Sequence, residues 1–444
     1  MAHLIRTLPL LALLAPALTA APQESADSDR AEPLIPWEPH GGPFQERTTL
    51  TGDWGGARDR WSDDGLHVEA TWLQTFQNVT DGGVGDSTGH MTNLDYRMTF
   101  DLQRLGVQEG AMIFLRGQSR FGDSVNGASG LFLPVHTAGY FPLETPLDDN
   151  IPLTLTEAYG VQYLSPEFAV LAGKVTTLAS NNEFLGGEGY SQFMNFQFIF
   201  PAVLAQLAPY STLGVGVLWN PDPDISVQSL LINLQDSSTS SGFDDIGDGA
   251  TWWTQLDYNQ GIIAEPGGGT LGFAYGFDGE FAQVGGTNLG GGTGLTPETS
   301  STSWALYWSG WQYLVTEDPK PGPVNPGNGK QDHEGLGVFS MLGLADEDAN
   351  PVSWSAAAGV SGRGSIPGRD DDTWAVGYFY NNLQDLDLGP NPDAFASSVT
   401  GWEVFYEFAL TPAIGLAVDA QFLQSAINLI DDSTLVGLRL NVSL

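Results

Sequence analysis

From residue 66 to the C-terminus, apolar and polar side chains alternate along the chain with a period of two. The last segment shows this most clearly, because every second position is apolar or small: Thr434, Val436, Leu438, Leu440, Val442 and Leu444. The same alternation runs through residues 414–422, 402–410 and 94–103. This period is that of β-strands with one apolar and one polar face. The chain is therefore predicted to be all-β.

The alternating segments are about as long as tilted strands that cross a membrane. Turn-rich stretches separate them at residues 266–269, 285–294, 319–329 and 389–392. Aromatic residues cluster at the segment ends, as at the two interfaces of a membrane barrel. They include Trp219, Trp252, Trp304, Trp308, Trp374, Trp402 and Tyr406.

No apolar run after residue 21 is long enough for a spanning helix, so a membrane role requires strands that close into a barrel. We predict a transmembrane antiparallel β-barrel of about 16 strands over residues 66–444.

Residues 1–65 follow other patterns. Residues 1–21 have a charged start, an apolar run and small residues at the end, which predicts a signal peptide. Residues 22–47 are rich in Pro, Asp and Glu and are predicted to be a mobile mature N-terminus. Residues 48–65 are predicted to form a short helical periplasmic segment, with Thr51 or Asp53 as its cap and Gly65 at its end.

The charge balance excludes several partners. The chain has 53 acidic and 15 basic residues, a net charge of −38 and no cysteine. A nucleic-acid partner is not expected, because phosphate binding needs a basic surface. The acidic runs lack the spacing of an EF-hand loop, so they are interpreted as solvated loops, with calcium binding as the alternative. No metal and no cofactor are expected.

Enzyme signatures are missing as well. The six histidines are scattered, and the chain has no HExxH, no G-x-S-x-G and no phosphate-binding glycine loop. Among 53 acidic residues, pairs such as Glu403 and Glu407 do not by themselves indicate a glycosidase. The protein is therefore predicted not to be an enzyme.

The stretch from Leu50 to Gly65 reads LTGDWGGARDRWSDDG and is followed directly by the first strand. It resembles the opening of OprB-type carbohydrate-selective porins. Residues 157–159, 173–174 and 193–196 are also similar to that family. Two positions differ from the usual pattern: Trp61 replaces a leucine, and Leu444 stands where such barrels usually end in an aromatic residue.

The resemblance implies a sixteen-stranded barrel in the cell outer membrane that passes carbohydrates, monosaccharides such as glucose, by diffusion. Its partners would be carbohydrate substrates and outer-membrane lipid. A homo-oligomer is left open.

Strand parity predicts which side chains face the lumen. In the first three strands the inward positions include Glu69, then Asp95 and Arg97, then Arg116, Gln118 and Arg120. Lys174 is inward if Leu171 and Val175 face lipid. These seven residues are the predicted pore-lining and substrate-binding group, since arginine donors and carboxylate acceptors suit sugar hydroxyls. The alternative is that the charges only pair across strands and rigidify the wall.

Other interpretations remain at this point. The same fold could serve as a general or cation-preferring porin, given the negative charge. A secreted acidic β-rich carbohydrate-active protein is the second alternative. The short helix either narrows the periplasmic mouth or seals it by burying Trp54 and Trp61.

Overall fold

The structure is a computed structural model that describes residues 32–143, 150–282, 299–317, 333–384 and 395–444. The predicted signal peptide and the turn-rich stretches at 285–294, 319–329 and 389–392 lie outside these residues. Within them, no helix is both long enough and apolar enough to cross a bilayer.

Sixteen strands form one closed antiparallel barrel, in which β1 pairs with both β2 and β16. The strands are β1 (Leu66–Gly83), β2 (Ser87–Asp101), β3 (Ala111–Asp123), β4 (Ile151–Ser165), β5 (Phe168–Thr176), β6 (Ser211–Asp222), β7 (Ile225–Asn233), β8 (Ala250–Tyr258), β9 (Gly267–Ala282), β10 (Thr299–Thr316), β11 (Gly335–Ala345), β12 (Val352–Arg363), β13 (Thr373–Leu383), β14 (Ser398–Thr411), β15 (Ile414–Leu423) and β16 (Asp431–Ser443). The predicted transmembrane antiparallel barrel of about sixteen strands is confirmed.

Burial alternates along the strands as the period of two requires. In β16, Leu435 and Arg439 are buried, whereas Val436 and Leu438 between them are exposed on the outer wall. Trp219, Trp252 and Trp402 are also exposed on that wall. The apolar outer face can therefore meet lipid while the inner face carries the polar groups.

The two ends of the barrel differ in their connections. The described chain begins and ends at one end of the barrel, where Arg58 donates to the main-chain oxygen of Leu444 and residues 166–167, 223–224 and 412–413 are tight turns. Residues 124–143 and 177–210, which belong to two longer connections, lie at the other end. The helical segment before β1 and the end of β16 therefore meet at the first of these ends.

The N-terminal helix α1 spans Ala57–Asp64. The predicted cap at Thr51 or Asp53 is wrong, because the helix follows Gly56, whose φ of 79° is in the left-handed region. Its end at Gly65 is as predicted, with φ 102°. Arg58 is buried under the helix and donates to the main-chain oxygen of Val68 at 2.6 Å and to that of Leu444 at 2.8 Å. The helix thus bridges the first and last strands.

Two features of the N-terminal region bear on the expectations for it. Trp54 and Trp61 do not seal the barrel, because they are 43% and 46% exposed and pack edge to face against each other. Residues 32–47, within the segment predicted to be mobile, make defined contacts with the barrel end. The Leu34 amide donates to Asp101 at 2.7 Å, and the His40 amide donates to Asp59 at 2.9 Å.

Two connections fold into the barrel. The first inner loop (residues 124–143) reaches β2 through Asn93, which donates to Ala138 O at 2.6 Å, and β15 through Gln421, which donates to Val135 O at 3.0 Å. The second inner loop (residues 177–210) contains the one-turn helix α2, Phe196–Ile199, and is almost wholly buried. The two loops meet where the Thr137 amide donates to Met194 O at 2.9 Å. They narrow the lumen from within.

Apolar contacts hold the second inner loop against the wall. Phe193 stacks on Phe198 with ring centroids 4.4 Å apart, and edge-to-face contacts join Phe193 to Phe339 and Phe405. The Glu403 carboxylate of β14 accepts hydrogen bonds from the amides of Met194 and Asn195 at 2.6 and 3.0 Å. Burial of these aromatic rings fixes the loop across the lumen.

Candidate constriction site

Three neighbouring strands present charged side chains to one region of the lumen. Arg97 of β2 pairs in register with Arg116 of β3, and Arg116 pairs with Glu157 of β4. Asp95, two residues before Arg97, lies on the same face. Directly opposed residues on one face of a sheet lie close enough for their side chains to interact. The strands therefore build a single ionic cluster.

Arg116 is the centre of this cluster. Its guanidinium donates to Asp95 at 2.7 Å, to Glu157 at 3.2 Å and to Glu188 at 2.7 Å. Its side chain is only 2% exposed. A guanidinium presents its donors in a fixed fork, so three carboxylates held around it are locked in position.

Arg97 lies at the open edge of the same cluster. Its Nε donates to Asp95 at 3.1 Å, and its Nη2 is 3.8 Å from Glu188. Its side chain is 30% exposed, and that of Glu188 is 14% exposed. Arg97 and Glu188 therefore present charged hydrogen-bonding groups to the lumen, while Arg116 and Asp95 support them from behind.

The second inner loop supplies the opposite side of the cluster. Glu188 and Tyr190 flank Gly189, whose φ of 82° is in the left-handed region. A Cβ at Gly189 would lie 3.0 Å from the Ala138 amide nitrogen, so the close contact between the inner loops requires glycine. Burial, with the Asp95 carboxylate nearby, raises the pKa of Tyr190 above its usual range. Its hydroxyl is neutral and can both donate and accept.

Sequence comparison decides the family. The family described as "Carbohydrate-selective porin, OprB family" matches residues 87–444. The chain belongs to this family. No curated protein sequence is significantly similar to it.

Solved structures agree on the fold of this OprB-family porin. The high-pH structure of Pseudomonas putida OprB is 19% identical, with a TM-score of 0.75 over 91% of this chain and all of that one. The low-pH structure of the same protein is 15% identical, with a TM-score of 0.55, and covers 90% of this chain and 99% of that one. The porin is thus a carbohydrate channel of the outer membrane, and the secreted soluble alternative is wrong.

The remaining predicted residues lie at or beyond the edge of the cluster. Gln118 joins it, donating to Asp95 at 3.1 Å and accepting from the Tyr210 hydroxyl at 2.6 Å. Glu69 pairs in register with Arg97 on the β1 side and is half-buried. Arg120 is buried and donates to the carbonyls of Gly139 and Tyr140, so it anchors the first inner loop of the porin.

Lys174 lies apart from the cluster. The parity assumed for it is wrong, because Leu171 and Val175 are buried instead of facing lipid. Its ammonium donates to the carbonyls of Leu155, Ser237 and Ser240 at 2.6 to 2.8 Å. Gly173, with φ 137°, interrupts the regular strand just before it. Lys174 therefore fastens residues 237–240 to the porin wall.

Several residues of the site were not found by sequence reasoning. Glu157 follows an irregularity in the pairing of β3 with β4 between Arg116 and Gly117, which breaks simple parity. Glu188 and Tyr190 come from an irregular loop, and no period indicates where such residues point. Arg439 of β16 donates to Gly189 O at 3.3 Å and to Glu407 at 3.1 Å. Its inward position followed from the alternation of the last strand.

Proposed function

We propose that the porin passes neutral monosaccharides such as glucose by diffusion, and that Arg97 and Glu188 bind sugar hydroxyls at the constriction. The observation that carries this proposal is the exposed edge of a cluster that is otherwise buried. Guanidinium donors and carboxylate acceptors match vicinal hydroxyls. Because Arg116 and Asp95 already hold both groups in place, little side-chain freedom is lost on binding.

The test is glucose block of the ion current through single channels in planar bilayers. Arg97→Gln removes a charged donor, and a hydrogen bond to a charged group contributes about 1.5–3 kcal/mol. We expect the half-blocking glucose concentration to rise about tenfold. Arg363→Gln is the matched control, because Arg363 pairs with the exposed Asp371 at 2.7 Å, away from the cluster. Equal glucose block in Arg97→Gln and the unaltered protein would remove Arg97 from the site.

The general or cation-preferring alternative has one observation in its favour, the net charge of −38. The reversal potential measured in a salt gradient distinguishes a general or cation-preferring porin from a monosaccharide channel. Two results together would favour the general porin: a strong cation preference, and a block of the ion current by glucose that equals the block by an amino acid. Liposome swelling with glucose but much slower swelling with a disaccharide supports the monosaccharide channel.

The proposed role includes no catalytic chemistry, because passage through a pore requires only reversible contacts. We expect glucose and disaccharides to be recovered unchanged after crossing protein-containing liposomes. Appearance of cleaved sugar in purified protein, lost in a variant of a lumen carboxylate, would contradict this role.

A homo-oligomer is supported by the outer wall of β1 and β2. Gln74 lies between Trp72 and Phe76 on the lipid-facing side and accepts from Thr92 at 2.7 Å. Polar groups facing lipid are unfavourable, so a second barrel is the better neighbour there. The chain has no cysteine, so Gln74→Cys can be cross-linked cleanly in the membrane. Crosslinked dimers with Gln74→Cys but not with Val418→Cys, on the outer wall of β15, support the contact.

A further inference from the structure

Asp257 is a buried carboxylate in the lumen that lacks a positive partner. It is 7% exposed, accepts from the Thr270 hydroxyl at 2.5 Å and from the Gln255 amide at 3.0 Å. Within the described parts of the chain, no Lys, Arg or His forms an ion pair with it. The Arg116 cluster shows the contrast, since each of its carboxylates contacts an arginine.

Neutral polar side chains lie next to this carboxylate and on the neighbouring positions of the same wall. Ser226 of β7 pairs in register with Asp257, and the side chain of Asn181 from the second inner loop also lies against the carboxylate. Gln228 is next along β7, opposite Gln255. Asn220 of β6 follows Trp219, which pairs with Val227, and the pairing of β6 with β7 is irregular from there to Asp222.

Several of these oxygens have no hydrogen-bond partner. They are Asn181 Oδ1, Asn220 Oδ1 and Gln228 Oε1, and each residue is more than nine-tenths buried. Buried acceptors are normally paired, and each one left unpaired is unfavourable. Three unpaired acceptors beside an uncompensated carboxylate indicate a ligand that interacts with oxygen and carries positive charge.

The orientation of Gln255 is fixed independently. The Trp253 indole donates to the Tyr307 hydroxyl at 2.9 Å, and that hydroxyl donates to Gln255 Oε1 at 2.9 Å. The amide nitrogen of Gln255 is therefore directed at Asp257. One N–H of this amide is engaged with the carboxylate, and neither of its N–H groups bonds Asn181 Oδ1, Asn220 Oδ1 or Gln228 Oε1, which have no partner.

We propose that Asp257, Ser226, Asn181 and Gln228 bind a monovalent alkali cation between the β7–β9 wall and the second inner loop. Hard cations prefer oxygen ligands of this kind. One carboxylate among neutral oxygens balances a single positive charge, whereas a divalent ion would leave an excess. In the described residues, no three His, Cys, Asp or Glu side chains gather as a transition-metal site requires. This site is separate from sugar passage, and its failure would leave the proposed function intact.

Asn181 gives the site a structural consequence. It belongs to the start of the second inner loop, and its neighbour Asn182 donates to Gly310 O of β10 at 3.1 Å. A bound cation would join the loop to β7–β9 in addition to β10. The cation should therefore stabilise the seated position of the loop.

The experiment compares the thermal unfolding of the detergent-folded porin in NaCl and in choline chloride at equal ionic strength. Choline is too large for the site. The two salts therefore screen charges equally and differ only in whether their cation can bind. We expect the melting temperature to be higher in NaCl by about 2 °C or more and to saturate with Na⁺ concentration. Asp257→Asn should lose this difference, whereas Asp348→Asn, at an exposed loop position, should keep it.

The direction in which Asp257→Asn changes the stability in choline chloride distinguishes a cation site from a purely structural hydrogen-bond network. In choline chloride, Asp257→Asn should be at least as stable as the unaltered porin, because it removes an uncompensated buried charge. A variant that is less stable in both salts by the same amount would overturn the proposal. Equal melting temperatures of the unaltered porin in the two salts would also overturn it. A response to Ca²⁺ without one to Na⁺ or K⁺ would overturn the assignment of a monovalent ion.

Discussion

Arg97 and Arg116 face each other across β2 and β3, yet they have different roles because their exposure differs. Arg97 can be reached from the lumen, so its replacement should change sugar binding. Arg116 is itself 2% exposed and donates to three carboxylates, of which Asp95 and Glu157 are buried. Removing one partner from a buried ionic network leaves uncompensated charge, which is far more destabilising than losing a surface pair.

Arg116→Gln should therefore reduce the free energy of unfolding by about 3 kcal/mol or more. Arg363→Gln, at a solvent-exposed ion pair, should reduce it by less than about 1 kcal/mol. Guanidinium titration of vesicle-inserted protein, followed by tryptophan fluorescence, measures both. Similar losses in the two variants would show that the Arg116 cluster is well solvated.

His136 gives the first inner loop a defined pH dependence. It is buried, and burial together with Arg439 and Arg120 lowers the pKa of its imidazole to about 3. The unfolded chain binds a proton at His136 below about pH 6.5, whereas the folded protein does not. Stability attributable to this residue is therefore complete above pH 6.5 and is lost as the pH falls towards 3, with a slope of at most about 1.4 kcal/mol per pH unit.

The His136→Gln variant should accordingly show a shallower loss of unfolding free energy between pH 6.5 and 4. His90→Gln is the control, because His90 is exposed on the outer wall. Carboxylates titrate in all three proteins, so only the difference in slope reports on His136. Parallel pH profiles for His136→Gln and the unaltered protein would contradict the prediction.

At the scale of elements, α1 connects the first strand of the barrel, β1, to the C-terminal end of the chain after β16. Arg58 donates to the main-chain oxygens of Val68 and Leu444 from beneath the helix, while Arg60 on the same helix is exposed. Arg58→Ala should lower the unfolding free energy by about 2 kcal/mol or more and expose residues 48–65 to protease, since charged hydrogen bonds are lost. Arg60→Ala should do neither. Protease resistance of α1 in Arg58→Ala would show that other contacts hold it.

The elements also show how far the sequence can predict the structure. Alternation alone predicted the inward faces of β1 to β3, because one buried face fixes the register of a strand. It did not predict Glu188, which meets Arg116 from a loop 72 residues further along the chain. Near Lys174 the assumed outward positions of Leu171 and Val175 are wrong, because Gly173 disturbs the strand. Helical spacing located α1 but not its buried side, since Arg58 and not the tryptophans lies underneath.

At the scale of the whole molecule, charge is the dominant feature. With 53 acidic and 15 basic residues, the chain repels itself, and salt screens that repulsion. The unfolding midpoint in urea should therefore rise when choline chloride is increased from about 0.05 to 1 M, conditions that shorten the Debye length from above 10 Å to about 3 Å. A midpoint that does not change with choline chloride would show that the acidic residues are spaced widely enough to be independent.

The pairing of β1 with β16 also sets the order in which this protein can assemble. The two strands that complete the ring come from opposite ends of the described chain, and Arg58 joins its contacts across a separation of 386 residues. Until the last strand arrives, two edges with unpaired backbone groups remain, and such edges are not tolerated in hydrocarbon. Without β16, the edges of β1 and β15 stay unpaired in this arrangement, so the last strand made is the one that allows the ring to enter hydrocarbon.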